Sequence, residues 1–192
     1  MKRQAGFSLV ELMIVIIVVG LLAVAALPRF INITDEAKKA SIEGVAGGFA
    51  TAVMSARAQW EAYGRPVQSG FNRVNYDGTD FYLSTKAKDS FLVGEGYPVS
   101  QSQHQVNEVV NDDCVWLMEN LLQNPPLVTK DSTEAVNGSN LFYTTANGSG
   151  VNKECRYYQL ASADTKGTTN NITSGHYFSY LPAKGQVKVT IR

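Results

Sequence analysis

The 192-residue chain has little of what catalytic and metal-binding proteins use. It holds only two histidines, His104 and His176, and two cysteines, Cys114 and Cys155. Neither histidine stands at ligand spacing from a cysteine, which excludes the common zinc sites. Two cysteines are too few for a disulfide-stapled scaffold. No nucleophile–base pair is recognisable, so the chain does not read as an enzyme, and no cofactor is expected. An excess of charge is missing too. Seventeen Lys and Arg face seventeen Asp and Glu, leaving no polycation to hold a nucleic acid. Asp77-Gly78-Thr79-Asp80 and Asp112-Asp113 lack EF-hand spacing and read as a turn and a helix cap. His104 in a polar loop and His176 before a strand read as surface histidines.

Charge is locally absent as well. Between Leu12 and Leu27 no side chain is charged. The apolar stretch from Phe7 to Leu27 suits a hydrocarbon core, which takes about 20 helical residues. Inside it stands one carboxylate, Glu11, which costs about 2.5–3.5 kcal/mol at mid-bilayer on insertion scales. Lys2 and Arg3 form a basic start that keeps the N-terminus cytoplasmic. A secretory signal peptide would account for the basic start and the triplet Ala23-Val24-Ala25. Its apolar part, however, runs only to about 15 residues. A plain membrane anchor accounts for everything except Glu11. Cleavage after Gly6 would give Phe7 a free amine and make Glu11 the fifth residue of the new chain. The amine of one subunit could then meet the carboxylate of another. At 4 Å and an effective dielectric of ~20 such a pair attracts by about 4 kcal/mol before desolvation.

These residues resemble a known signal. The order Gly6-Phe7-Ser8-Leu9-Val10-Glu11, with a basic leader before it and an apolar helix after it, is similar to the class III signal of type IV pilins and pseudopilins. The resemblance implies cleavage between Gly6 and Phe7, N-methylation of Phe7 and assembly through Phe7 and Glu11. Asp35–Trp60 resembles the pilins of the mannose-sensitive haemagglutinin (MSHA) group of Gram-negative bacteria, and is closer there to the minor pilin than to the major subunit. The implied fold is α+β, a long N-terminal helix packed on an antiparallel sheet head. The implied role is a structural subunit of a pilus for surface attachment and biofilm formation. Its partners would be other pilin subunits, a prepilin peptidase, inner-membrane lipid, an inner-membrane platform with its ATPase, and an outer-membrane secretin. A surface glycan would be the object of attachment. A pseudopilin of a type II secretion system is the alternative, and an anchored periplasmic enzyme a more remote one.

The expected organisation is a leader over 1–6, a membrane and filament-core helix over 7–28, an amphipathic stalk over 29–60 and a head over 61–192. Pro28 removes a hydrogen bond and crowds the Val24 carbonyl, which predicts a kink. Thr34-Asp35-Glu36 reads as a fresh helix start. Phe30, Ile33, Ala37, Ala40, Val45, Phe49, Ala52, Ala56 and Trp60 recur at threes and fours and predict one buried face. Gly44, Gly47 and Gly48 either admit a close neighbour or are merely tolerated. Phe71–Ser84, with Asp77-Gly78 at its centre, predicts a hairpin. Asp112–Gln123 predicts a helix burying Cys114, Leu117, Met118 and Leu121, stopped by Pro125-Pro126. Strands are expected at 140–145, 154–161, 177–181 and 186–191, with the last two antiparallel and a loop at 164–175. Tyr157, Tyr158, Tyr177, Phe178 and Tyr180 read as core and sheet pairs. An even cysteine count in an exported head favours a disulfide between Cys114 and Cys155.

Overall fold

The computed structural model describes residues 6–86, 92–163 and 172–192, with backbone alone at 30–32 and 137. The first five leader residues and most of the 164–175 loop lie outside these. Two compact units divide between Lys38 and Lys39.

The first helix, α1, runs from Leu9 to Ala62 and crosses both units. No fresh start occurs at Thr34: α1 passes Pro28 and Thr34 without interruption. Asp35 instead pairs with Lys38 one turn on, at 3.3 Å.

From Lys39 onward α1 belongs to the head. Ile42, Ala46, Phe49, Ala52, Val53, Ala56 and Trp60 are buried in the core. The expected face was therefore right at its C-terminal end and wrong at its start. Ile33, Ala37 and Ala40 are exposed and Val45 is half-buried. The face is set by Phe49, whose ring lies 5.3–5.7 Å from those of Tyr157, Phe178 and Tyr180. From Phe49, three residues back is Ala46 and four further back is Ile42, two turns along the same face. Gly44 and Gly47 meet no neighbouring atom within 4 Å, and Gly48 faces the Leu122 side chain.

The chain leaves α1 through Gly64 and Arg65 and builds a four-stranded antiparallel sheet in sequence order. Its strands are β1 (Val67–Gln68), β2 (Phe71–Tyr76), β3 (Thr79–Leu83) and β4 (Pro98–Ser100). Asp77 and Gly78 join β2 to β3 with φ of 50° and 83°, and Tyr76 faces Thr79. Both central φ values are positive, as a type I′ turn requires, and Asp-Gly tolerates them.

Helix α2 (Asn111–Leu121) follows, with Cys114, Leu117, Met118 and Leu121 buried as their spacing predicts. A second sheet holds β5 (Val128–Thr129), β6 (Phe142–Asn147), β7 (Glu154–Gln159), β8 (Tyr177–Leu181) and β9 (Gln186–Thr190), in that order. Every pairing in it is antiparallel except β5 with β6, which is parallel. The crossover between those two carries a short helix, α3 (Ser132–Asn137), capped by the Asp131 carboxylate. The fold is α+β.

Side chains tie the layers together. Cys114 in α2 and Cys155 in β7 form a disulfide. The Tyr157 hydroxyl donates to the Cys114 carbonyl at 2.8 Å, and the Tyr180 hydroxyl to the Pro98 carbonyl at 2.7 Å. Segment 92–97 reaches the β8–β9 turn through a hydrogen bond from Gly94 N–H to the Ala183 carbonyl. Tyr97 lies so close to Gly185 there that a Cβ would meet its ring at 2.1 Å.

Candidate assembly segment and head surface

The described apolar side chains of the N-terminal unit lie on an exposed helix. Phe7 is 84% exposed, and the large apolar side chains from Leu9 to Leu27 are exposed too. This is the one described helix long and apolar enough to cross a membrane. A free surface of this kind in water would be an aggregation hazard, so lipid or other apolar helices must cover it.

The segment's first turn holds the finding that the sequence reading missed. Glu11 has a partner at the start of its own helix. Its carboxylate accepts the Ser8 backbone N–H at 2.9 Å, and the Ser8 Oγ accepts the Glu11 N–H at 3.2 Å. These reciprocal bonds make a capping box, which satisfies two of the donors that every helix start leaves free. The pattern Ser8-Leu9-Val10-Glu11 ahead of an apolar run is its sequence signal. Gly6 and Phe7 precede the helix, with nothing within 4 Å of a Cβ at Gly6, so the junction between them is accessible. Pro28 sits mid-helix.

Elsewhere the acids serve the fold. The Asp131 carboxyl lies below its usual range because it accepts the N–H groups of Glu134 and Thr133. Asp80 is also lowered, by the Asn75 amide first and Arg73 second. Asp112 pairs with Lys130. Asp113 is buried at the start of α2, where it accepts the Val110 N–H at 2.9 Å and meets His104 Nδ1 at 2.8 Å. His104 is thus engaged with a buried carboxylate rather than free in a loop. His176 is not a surface residue at all. It is 6% exposed, and its Nδ1 accepts the Arg192 N–H at 3.1 Å. Its backbone N–H donates to Ser162 Oγ at 2.8 Å, a contact that its place before a strand could not show. Tyr157, Phe178 and Tyr180 are core, while Tyr158 and Tyr177 pair on the other face of the sheet at 5.1 Å. No cluster of three metal-ligating side chains occurs among the described residues.

The chain thus joins an exposed apolar helix with a carboxylate in its first turn to an α+β head. The prokaryotic N-terminal methylation motif matches residues 1–27. Over 106 residues the chain is 40% identical to the type IV narrow pilus major component PilA5 of Thermus thermophilus, spanning 49% of this chain and 90% of that protein. The chain belongs to the type IV pilins. A second pilin, the type IV major alpha-pilin of Moraxella bovis, is 30% identical over 92 residues, which span 48% of this chain and 58% of that protein. No solved structure matches. A type IV pilin is a structural subunit.

Proposed function

We propose that this pilin is cut between Gly6 and Phe7, methylated on the Phe7 amine and packed into a filament through Phe7, Glu11 and the bare helix that follows. The observation that carries the reading is the Ser8–Glu11 cap at the head of an unpartnered apolar helix. It holds the carboxylate at one place, one turn from the new amine, where an incoming subunit can meet it. Before assembly the helix from Phe7 to Pro28 sits in the inner membrane, and Pro28 is its weak point. Other pilin subunits and a prepilin peptidase are the direct partners. The platform with its ATPase and the outer-membrane secretin act on the growing filament. The resemblance of Asp35–Trp60 to MSHA pilins supports an attachment pilus in which this chain is a minor or major subunit, with a surface glycan as target.

Intact mass of the chain from sheared filaments tests this directly. Loss of Met1–Gly6 and one added methyl on Phe7 are expected. A mature N-terminus at Ala26, or retention of Met1, overturns the reading. Deleting the gene should abolish surface attachment and leave protein export unchanged, and the reverse pattern would point to a secretion pseudopilin.

A further inference from the structure

The two edges of the five-stranded sheet differ in charge. At the β5 edge, Asp131 and Glu134 are exposed, and neither carboxylate meets a cation among the described residues. Lys130, the cation next in sequence, is taken by Asp112. Beside them Leu127 and Leu141 are 59% and 54% exposed, and the Leu141 N–H donates to the Leu127 carbonyl at 2.9 Å. Two adjacent bare leucines flanked by unneutralised acids make a small apolar patch with a charged rim, the usual anatomy of a contact surface.

The β9 edge is its complement. Lys188 is exposed at the centre of the strand and Lys184 in the turn before it, and neither makes an ion pair among the described residues. Ile191 follows, 39% exposed. A lysine on an edge strand also discourages strand addition, so Lys188 alone would say little. What points to a partner is the match between the edges, each with apolar side chains and charge of the opposite sign. The edges lie four strand spacings apart, about 19 Å at ~4.8 Å each, so they cannot neutralise one another within a copy.

We propose that the β9 edge of one copy docks on the β5–α3 edge of the next. Lys184 and Lys188 then face Asp131 and Glu134, and Ile191 meets Leu127 and Leu141. Two different patches make the contact, so it is head-to-tail, the kind of contact that builds an open filament when the rotation between copies does not close a ring. The proposal rests on the filament reading and adds to it which surfaces of the head meet.

Cross-linking in the full chain tests it. Leu127→Cys and Lys188→Cys together should give a ladder of covalent multimers from oxidised, sheared filaments, and each change alone should give only monomer. Monomer from a double variant that enters filaments at the wild-type level overturns the proposal. A ladder from Lys188→Cys alone overturns it as well, since that contact would be symmetric. Charge reversal is the second arm. Lys188→Glu should lower the filament yield, and Glu134→Lys in the same chain should restore it. An unchanged yield with Lys188→Glu, or no restoration, counts against the contact. A wild-type chain absent from sheared filaments would overturn the filament reading itself and this contact with it.

Discussion

Glu11 serves two purposes that one substitution can separate. Its carboxylate caps α1 through the Ser8 N–H, and its charge stands in an otherwise uncharged span. Glu11→Val removes both. Glu11→Gln keeps an acceptor for Ser8, because glutamine also serves in a capping box, while the charge is lost. If the charge sets the step between subunits, Gln and Val variants should both insert into the membrane and both fail to enter filaments. Immunoblots of sheared pili beside the membrane fraction read this out. A Gln variant in filaments at the wild-type level would leave the helix cap as the only role of the residue.

At the scale of elements, one ring of α1 packs into the aromatic centre of the head. Phe49 is fully buried against Tyr157, Phe178 and Tyr180. Phe49→Ala should cost the head about 3–5 kcal/mol, the range for truncating a buried phenylalanine. Denaturant titration of the detergent-solubilised full chain, followed by tyrosine fluorescence and far-UV circular dichroism, measures it. A loss under about 1 kcal/mol, within the range of a surface substitution, would mean that this helix face is not what fastens α1 to the sheet. The turn between β8 and β9 is a second fastening. Gly185 has a φ of 62° and Tyr97 packed over it, so a side chain there would push segment 92–97 away from Ala183.

Across the head as a whole, stability depends on redox state and on alkaline pH. The Cys114–Cys155 bond closes a loop of 41 residues. The chain-entropy account assigns such a loop about 4 kcal/mol. Reduction should lower the denaturation midpoint by a corresponding amount, and an unchanged midpoint would show that native packing alone holds α2 on β7. Burial pushes the Tyr157 and Tyr180 hydroxyls well above their ordinary value of 10.0. In the unfolded chain they ionise near pH 10. Above that pH the folded state holds more protons than the unfolded one, so stability is complete below it and falls as pH rises further. Tyrosinate absorbance should therefore show these two hydroxyls titrating only together with the loss of circular dichroism. Their free titration in an intact head would contradict their burial.

Local chemistry determined a good part of this protein. The charge-free run Leu12–Leu27 marks an apolar helix long enough to cross a membrane. Asp77-Gly78 selects its hairpin because two positive φ values in succession suit few residue pairs. Cys114, Leu117, Met118 and Leu121 lie on one side of α2 by periodicity alone, and the even cysteine count foretold a disulfide. Tertiary structure decided what no local signal carries. Starting the buried face of α1 at Ile42 rather than at Ile33, Ala37 or Ala40 required knowing where the Tyr157, Phe178 and Tyr180 rings would lie. The division into two sheets, the parallel pairing of β5 with β6 and the burial of His176 each join residues distant in sequence. A two-residue strand such as Val128–Thr129 has too few positions to show any period. Long-range pairing is chosen by the whole set of faces that must be covered at once, and that set exists only in the folded chain.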